Sequence, residues 1–328
     1  MGDNQSSLRI RKTLRHGEIY EGGIKHNKRN GFGEDKFPNG DRYKGQWRGD
    51  SFYGFGEYHW KSGELYVGEW KGGKRHGKGE NYYSNGDIYR GEWSEGYPHG
   101  KGEIFWTNGC TYKGDIKDGK LDGYGVFTWK DGRIYQGEWR NNKIEGVGEM
   151  RWPNNETYFG DWVNGKKNGI GKYYFSNGEV YTGEWKENKM HGRGEYSWPS
   201  GDYYIGEWKE GKRDGQGEYV WPTGKTYSGE WKDDLITWKG ILYTPGEELI
   251  RLDGLENTES CSTRQAAEPI KDTGYLFDTS QNESRLRGRK TEIEIRGRRM
   301  NERVETSVRN LFKIIKNYSN SRELVGMP

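Results

Sequence analysis

Aliphatic residues, proline and cysteine are all scarce in this chain of 328 residues. Only 30% of the chain is hydrophobic, too little for a thick aliphatic core, and 8 prolines are too few for a proline-rich linker. Two cysteines, Cys110 and Cys261, are too few for a secreted disulfide framework, so we expect a reducing cytoplasm. No stretch reaches the roughly 18 apolar residues of a membrane span, and Met1 to Leu14 shows no signal-peptide core.

Aromatic residues and glycine are abundant instead. The 15 Trp, 24 Tyr and 10 Phe are too many rings for a solvated coil, and 53 glycines indicate frequent turns. The net charge of +3 is small beside 53 basic and 50 acidic residues, so the overall charge does not point to nucleic acid. We expect ring surfaces to supply the burial, and we expect no nucleic-acid partner.

A tyrosine recurs every 23 residues without an insertion or a deletion. The ten positions are Tyr20, Tyr43, Tyr66, Tyr89, Tyr112, Tyr135, Tyr158, Tyr181, Tyr204 and Tyr227. A glycine follows each tyrosine two residues later, and a tryptophan usually follows that glycine at the next alternate position, with Ile116 as an exception. A second pair of glycines, beginning with Gly31 and Gly33, keeps the same period. Because both patterns alternate with period two, each unit is predicted to be a β-hairpin.

The turns between the units and the register of the strands follow from the same pattern. Asn-Gly, Ser-Gly and Asp-Gly pairs separate the units, and these residues tolerate the positive φ of a tight turn. As a register we expect Trp60 to lie opposite Tyr66. Tyr58 would then lie across from Gly68, so that each glycine makes room for a ring of the neighbouring strand.

All the large rings share one face of the predicted sheet, and charged residues mark the other face and one edge. The other face carries Glu69, Glu92, Asp115, Glu138, Asp161, Glu184, Glu207 and Glu230, while the loops carry Lys28, Lys74, Lys120, Lys143, Lys166, Lys189 and Lys212. We call these sets the acidic column and the lysine row. Because the acidic column repeats in nearly every unit, we interpret it as a solvated face balanced by nearby lysines and not as paired catalytic carboxylates.

The unit resembles the MORN repeat in the run from Tyr66 to Glu80, which reads Tyr-Val-Gly-Glu-Trp-Lys-Gly-Gly-Lys-Arg-His-Gly-Lys-Gly-Glu. The resemblance covers residues 18–246. It implies a twisted, single-layer antiparallel β-meander that serves as an assembly platform in junctional, cytoskeletal and ciliary proteins, including the radial-spoke head. It also implies an association with phosphoinositides and acidic membranes.

Four segments follow from these patterns, and the fold class is an elongated all-β repeat followed by a short helical tail. We predict a flexible N-terminus over residues 1–17, ten hairpin repeats with a divergent C-terminal cap over 18–246, a linker over 247–290 and a basic amphipathic tail over 291–328. Basic residues accumulate at Arg285, Arg287, Arg289, Lys290, Arg296, Arg298, Arg299 and Arg303, and helical spacing then aligns Val304, Val308, Leu311, Phe312 and Ile315.

Both ends of the chain carry candidate membrane or partner signals. A basic amphipathic helix could dock on a partner, bind calmodulin, lie on an anionic membrane or fold back on the aromatic sheet. RNA binding is not expected, because the arginines lack interleaved aromatic residues. The first six residues fit the loose N-myristoylation pattern, with Gly2 as the acceptor.

No residue pattern points to catalysis, a metal or a cofactor. His76, His99 and His191 share one repeat position, which indicates a structural role in the loop. Neither cysteine has a partner at metal-ligand spacing, and the sequence contains no nucleophile elbow, Walker loop or dinucleotide-binding glycine pattern. We therefore predict that the protein is not an enzyme.

The aromatic face is predicted to bind partners, because a single-layer sheet has no second layer to cover its rings. Anchors are expected from the central units, at Tyr135, Trp139, Trp152, Tyr158 and Trp162. The leading hypothesis is a non-catalytic scaffold that binds structural proteins of a cytoskeletal assembly, with the ciliary or flagellar axoneme favoured by resemblance alone. Self-association through the array ends or the tail is left open.

The alternative hypothesis is a peripheral membrane adaptor. In that case the lysine row, the basic residues from Arg285 to Arg299 and an acylated Gly2 would bind anionic lipids or phosphoinositides.

Overall fold

The structure is a computed structural model that describes residues 8–13 and 17–253. Its secondary structure consists of 22 β-strands, numbered here in chain order. Their bounds are β1 Leu8–Thr13, β2 Ile19–Lys25, β3 Lys28–Lys36, β4 Arg42–Arg48, β5 Ser51–His59, β6 Leu65–Lys71, β7 Lys74–Tyr82, β8 Ile88–Ser94, β9 Tyr97–Phe105, β10 Thr111–Lys117, β11 Lys120–Thr128, β12 Ile134–Arg140, β13 Lys143–Arg151, β14 Thr157–Val163, β15 Lys166–Tyr174, β16 Val180–Lys186, β17 Lys189–Ser197, β18 Tyr203–Lys209, β19 Lys212–Val220, β20 Thr226–Lys232, β21 Leu235–Tyr243 and β22 Ile250–Asp253.

The chain forms two compact units, and each is an antiparallel meander. Among the described residues, the first unit comprises 8–13, 17–155 and 162–165, and the second comprises 156–161 and 166–253. Strands β1 to β13 of the first unit pair each with the next, as do strands β15 to β22 of the second. The predicted all-β meander of 23-residue hairpins is confirmed. The predicted helical tail over 291–328 lies outside the described residues.

Strands extend beyond both predicted limits of the array, and the segment boundaries are corrected accordingly. Leu8–Thr13, assigned above to a flexible N-terminus, forms β1 and pairs with β2. Ile250–Asp253, assigned to the linker, forms β22 and pairs with β21. The physical reason is that a hairpin leaves an edge with unpaired N–H and C=O groups, and a further strand pairs with that edge although it lacks the repeat motif.

Two kinds of connection alternate along the chain. The ten short loops, such as Gly72-Gly73 at φ 59° and 80°, have two residues with positive φ, as in a type I′ turn. The longer loops from β3–β4 to β19–β20 have five residues. In one of them the Trp60 N–H donates to the Glu64 carbonyl at 2.9 Å, and Gly63 has φ 89°. The predicted positive-φ corners therefore lie at these longer loops, and the type I′ turns set the strand twist within each hairpin.

Each repeat tyrosine lies flat over two glycines. The ten rings are 0–1% exposed, and each hydroxyl donates to the backbone carbonyl three residues later at 2.6–3.2 Å. In the hairpin β16–β17, Gly183 pairs with Gly194 beneath the ring of Tyr181. A Cβ atom at Gly183 would stand 2.5 Å from the Gly194 Cα atom and 2.6 Å from the Tyr181 hydroxyl oxygen. Glycine is therefore required where two strands and a ring meet.

The predicted register is wrong by two residues. Tyr58 pairs with Tyr66 across the strands, and Gly56 pairs with Gly68. Glycine thus pairs with glycine, and the space that both leave is filled by the tyrosine of one hairpin and not by a ring facing them. Glycine makes room for a ring, as predicted, but the alternation of residues alone does not determine which ring lies over it.

The acidic column is more than a solvated face, because its carboxylates also accept hydrogen bonds from the backbone. The strand register shifts between Gly183 and Glu184, as at a β-bulge, and the carbonyl of Glu184 accepts the tyrosine hydroxyl. The Glu184 carboxylate accepts the backbone N–H of Arg193 at 3.0 Å. Equivalent bonds reach Glu69, Asp115, Glu138 and Asp161. These carboxylates therefore satisfy backbone donors at the bulge.

A tryptophan joins each tyrosine to the next. Trp185 lies edge-on to both Tyr158 and Tyr181, with ring centroids 5.3 and 5.1 Å apart, and its indole N–H donates to the Gly171 carbonyl at 3.2 Å. Seven tryptophans make this bond, namely Trp47, Trp70, Trp93, Trp162, Trp185, Trp208 and Trp231. The stack is irregular where Ile116 replaces a tryptophan, and the buried indole nitrogen of Trp139 has no hydrogen-bond partner.

Substitution of Gly183 by alanine tests the ring-over-glycine packing. Because the added Cβ atom meets backbone, Gly183→Ala should lower the free energy of unfolding by about 3 kcal/mol or more. Gly211→Ala is the matched control, since Gly211 has φ 90° with nothing within 4 Å, and it should cost only about 1 to 2 kcal/mol. Urea unfolding measures both, and equal losses would contradict the packing role.

The indole hydrogen bond is tested by a pair of tryptophans. Trp185→Phe removes the N–H that bonds to Gly171, whereas Trp139→Phe removes a buried donor without a partner. We expect Trp185→Phe to be more destabilising by about 1 kcal/mol in thermal or urea unfolding. The opposite order would show that these N–H groups do not contribute to the stack.

Candidate protein-binding surface

A row of rings stands at the start of each five-residue loop, on the tyrosine face and next to the last buried position of the strand. We call it the outer row. Its members are Phe37, Trp60, Tyr83, Trp106, Trp129, Trp152, Phe175, Trp198 and Trp221, and all are half-buried. They are held by the loop itself, since the backbone N–H of each loop's first residue donates to the carbonyl of its last in most copies. The outer row is therefore a line of partly exposed rings along the tyrosine face.

In the second unit the outer row joins a continuous ring ladder. An inner tyrosine stands two residues before each outer ring, and the ladder comprises Tyr173, Phe175, Tyr196, Trp198, Tyr219 and Trp221. Successive centroids are 4.5, 5.5, 4.6, 5.4 and 4.7 Å apart. Each ring thus contacts the next, so the six side chains form one rigid apolar strip.

The same strip is interrupted in the first unit. Inner positions there are held by Asp35, Asn81, Ile104 and Met150 as well as by rings. Shorter runs remain, such as Trp106 to Phe127 with centroids 5.3 Å apart. Aromatic continuity therefore distinguishes the second unit.

A carboxylate accompanies each inner tyrosine of the ladder. The Tyr173 hydroxyl donates to Glu156 Oε2 at 2.7 Å, and the Tyr196 hydroxyl donates to the carboxylate of Glu179. Burial, and next the charge of Asp202, raise the pKa of Tyr219 to about 12. We call Glu156, Glu179 and Asp202 the ladder carboxylates. At the equivalent positions of the first unit, Cys110 and Arg133 replace two of the acids.

Cations lie over strand rings near the two-residue turns, on the side of the inner positions that faces away from the outer row. The guanidinium of Arg213 is 4.4 Å from the Trp231 centroid, and the Lys167 ammonium is 4.2 Å from the Tyr173 centroid and 4.4 Å from the Trp185 centroid. Burial lowers the pKa of Lys167 to about 8, and Glu156 opposes this shift. These cations cover the ring faces next to the two-residue turns, which leaves the outer row as the accessible part.

Four of the five predicted anchors lie in the interior. Tyr135, Trp139, Tyr158 and Trp162 are 0%, 7%, 0% and 4% exposed, whereas Trp152 is half-buried in the outer row. The packing explains the difference, because repeat tyrosines and tryptophans form the core stack while the rings at the loops do not. Binding by these five residues stays a prediction, but the burial assigns four of them to the core and makes the outer row the better candidate.

The candidates at the chain ends lie outside the described residues. These are Gly2, the basic residues Arg285, Arg287, Arg289, Lys290, Arg296, Arg298 and Arg299, and the predicted helix face Val304, Val308, Leu311, Phe312 and Ile315. Their roles in lipid or partner binding stay predictions. Within the described ranges, no helix is both long and apolar enough to cross a membrane.

The lysine row is engaged by its neighbours. Six of its seven members bond to an acid or an amide in the next two-residue turn, as Lys74 does to Glu95 at 2.6 Å and Lys189 to Glu210 at 2.6 Å. Lys74 holds the pKa of the Glu95 carboxyl below its usual value. Such exposed pairs contribute little stability, but they reduce the positive charge that the row offers to an anionic surface.

The histidines and Cys110 do not assemble into a centre. Among residues 8–13 and 17–253, no group of three or more His, Cys, Asp or Glu side chains could hold a metal ion. His99 lies near Asp118, with the ring nitrogen 3.3 Å from the carboxylate, and Cys110 is half-buried at a loop.

The fold and the surface together define the class of protein, which is a scaffold built from β-hairpin repeats. The model of the MORN repeat family matches residues 20–42, 43–64, 66–88, 89–111, 112–132, 135–157, 158–180, 181–203, 204–226 and 227–237, which is more than half of the chain. The chain therefore belongs to the MORN-repeat family, whose repeats are non-enzymatic. A comparison with curated proteins gives no match.

Solved structures resemble the chain only distantly. The TCP10 domain of Danio rerio CPAP in complex with a peptide of Danio rerio STIL is 17% identical, with a TM-score of 0.38, over 72% of this chain and 98% of that chain. The TCP10 domain of Danio rerio CPAP alone is 15% identical, with a TM-score of 0.36, over 64% of this chain and 96% of that chain. Likeness at this level carries no conclusion about function.

Asp35 is a buried ionisable side chain in the first hairpin, and the equivalent position in the third hairpin is the amide Asn81. Asp35 is fully buried beside Arg29, its Oδ1 atom has no hydrogen-bond partner, and Arg29 also pairs with Glu18 at 2.6 Å. Burial, and next a hydrogen bond from the protonated Asp35 carboxyl to Glu18, raise the pKa of Asp35 from 3.8 to about 7. At the equivalent position, the amide of Asn81 bonds to Arg75 at 3.0 Å.

The raised pKa predicts that the first hairpin is less stable at high pH. The folded state binds the Asp35 proton more tightly than the unfolded state does, so stability should fall as the pH rises from 3.8 to about 7 and then level off. Hydrogen exchange of β2 and β3 amides, corrected for intrinsic rates, at about pH 5 and about pH 8 measures this. Asp35→Asn should remove the difference, and a difference that persists in this variant would contradict the assignment.

Proposed function

We propose that the protein is a non-catalytic scaffold that binds structural protein partners in a cytoskeletal assembly, with the ciliary or flagellar axoneme as its location. The observation that carries the proposal is the outer row of half-buried rings. In the described residues, close packing between elements joins strands that are adjacent in sequence, so these strands supply no second layer over the rings. Partly exposed aromatic side chains on a rigid support are typical anchors of protein interfaces.

Membership in the MORN-repeat family supports the scaffold part of the proposal. The axonemal location follows from the family resemblance, and the extraction experiment below tests it. A catalytic role has no support in the repeated carboxylates, because Glu184 and its equivalents bond to backbone donors at the bulges.

The membrane-adaptor alternative has less support in the described residues. The lysine row, one of its three expected lipid contacts, is largely paired with acids and amides of the neighbouring turns. The other two contacts, Gly2 and the basic tail, lie outside the described residues. The experiment below therefore separates the repeats from the tail.

Extraction of the tagged protein from ciliated cells tests the proposal. The full-length chain is compared with a variant that lacks residues 254–328 and so retains β22. Detergent removes membrane-bound protein, and high salt removes proteins held by exposed charges alone. Retention of both forms with the axoneme supports a scaffold that binds through its repeats. Release of the full-length protein by detergent, with a soluble truncated form, would favour the membrane adaptor.

Two adjacent residues test the surface itself. Phe175 belongs to the outer row, whereas Tyr174 is 40% exposed on the opposite face of the same hairpin. Phe175→Ala should reduce the fraction retained after salt extraction severalfold, because an interface anchor is lost. Tyr174→Ala should not. Equal retention of both variants would remove the outer row as the binding surface.

A further inference from the structure

The ring ladder and the ladder carboxylates of the second unit form one surface with a regular repeat. We infer that this surface binds a proline-rich segment of a partner protein that adopts the polyproline II conformation and carries basic residues at every third position. The inference rests on the proposed scaffold function and names the chemistry of the partner.

The spacing of the outer rings selects the conformation of the bound segment. Phe175, Trp198 and Trp221 follow one another at intervals of one hairpin, which is two strands, so successive rings are about 9.6 Å apart along the sheet. A polyproline II helix has about 3 residues per turn and rises about 3.1 Å per residue, so one turn advances about 9.3 Å. Every third residue therefore meets an equivalent ring, with a mismatch of about 0.3 Å per repeat.

Other regular conformations do not keep this phase. An α-helix returns to the same face after about 7 residues, or about 10.5 Å, so its mismatch is about 0.9 Å per repeat and three times that of polyproline II. In a β-strand about 3 residues span 9.6 Å, and a side chain three positions later points to the opposite face. Only polyproline II presents the same edge to each ring of the ladder.

The shape and chemistry of the rings favour proline in the segment. Centroid distances of 4.5 to 5.5 Å make the ladder a continuous apolar strip, with one outer ring for each turn of the ligand. Proline packs a rigid apolar ring against aromatic side chains and enters the complex with little loss of backbone entropy. A flexible segment of the same charge would lose more entropy on binding.

The ladder carboxylates favour basic residues in the segment. Glu179 accepts the Tyr196 hydroxyl, and Glu156 accepts the Tyr173 hydroxyl at 2.7 Å. A carboxylate has about four lone-pair sites, so the bond from Tyr196 leaves room at Glu179 for an arginine or lysine side chain of a partner. Because these acids recur with the same period as the rings, charge complementarity also repeats once per turn of polyproline II.

The first unit provides an internal comparison. It has outer rings as well, but Asn81, Ile104 and Met150 interrupt its inner row, and Cys110 and Arg133 stand where the second unit has acids. Both features are interrupted between Asn81 and Met150, and the first unit keeps both in one short run, in which the Tyr58 ring contacts Phe37 and Trp60 and the Tyr58 hydroxyl donates to Asp41 at 2.9 Å. The proposed site is therefore the stretch from Glu156 to Trp221 and not the whole array.

Fluorescence anisotropy with the full-length protein tests the proposal. The probe is a labelled peptide of consecutive Pro-Pro-Arg triplets, and the control is a peptide of Gly-Ser-Arg triplets with the same length and charge. We expect the proline peptide to bind about tenfold more tightly. Equal affinities would show attraction between charges alone and would overturn the proposal, as would the absence of binding by the proline peptide.

Matched variants locate the site. Trp198→Ala should weaken binding of the proline peptide about tenfold, whereas Trp106→Ala, at the equivalent position of the first unit, should leave it unchanged. Trp198→Phe keeps a ring and should retain most of the affinity, which separates loss of contact from loss of folding. Glu179→Gln should weaken binding and reduce its salt dependence, whereas Glu210→Gln, in a two-residue turn, should not. Equal weakening by Trp198→Ala and Trp106→Ala would overturn the assignment.

Failure of this inference is distinguishable from failure of the proposed function. If the proline peptide does not bind but the protein resists detergent and salt extraction, only the chemistry of the partner is wrong. If the protein is released from the axoneme, the proposed function fails whatever the peptide shows.

Discussion

The packing of one tyrosine over two glycines is the constraint on which the rest of this structure depends. Tyr181 lies over Gly183 and Gly194, and its hydroxyl reaches the carbonyl of Glu184 at the bulge. The ring therefore needs two strands without side chains at one point, a bulge at a fixed distance and an acid that satisfies the backbone there. A change in the spacing of any of these would separate the ring from its partners, which explains a period of 23 residues without insertions.

The tryptophans convert these local arrangements into an array. Trp185, for example, contacts both the tyrosine of its own hairpin and that of the preceding hairpin, so rings replace the aliphatic core that the composition lacks. A repeat protein is stabilised mainly by contacts between neighbours, and here those contacts are aromatic edges and indole hydrogen bonds. The array is less regular in two places, since Ile116 stands where other hairpins have a tryptophan and Trp139 is buried without a hydrogen-bond partner for its N–H group.

The core and the binding surface use the same residue types at different positions. The repeat tyrosines and tryptophans within the strands are buried, while the rings at the five-residue loops remain half-buried in the outer row. Because the surface repeats with the core, a ligand with its own period along the sheet can make the same contact several times. Sequence differences between repeats then determine which repeats offer the full set of contacts to such a ligand. In the second unit, these are the outer rings together with the inner tyrosines and the acids.

The sequence by itself determined the hairpin, its length, the turn positions and the face of the repeat tyrosines, because these depend on local alternation and on glycine at fixed spacing, but not every ring is on that face, since Phe55 and Tyr174 lie on the opposite one. It did not determine the register, the two extra strands at the array ends or the bond from Glu184 to the backbone. Nor did it separate Tyr135 and Trp162, which are buried, from Trp152, which is not. Those features were decided by the tertiary structure, because alternation fixes the face of a side chain but not its partner on the next strand, and because burial depends on which neighbouring strand lies beside a ring.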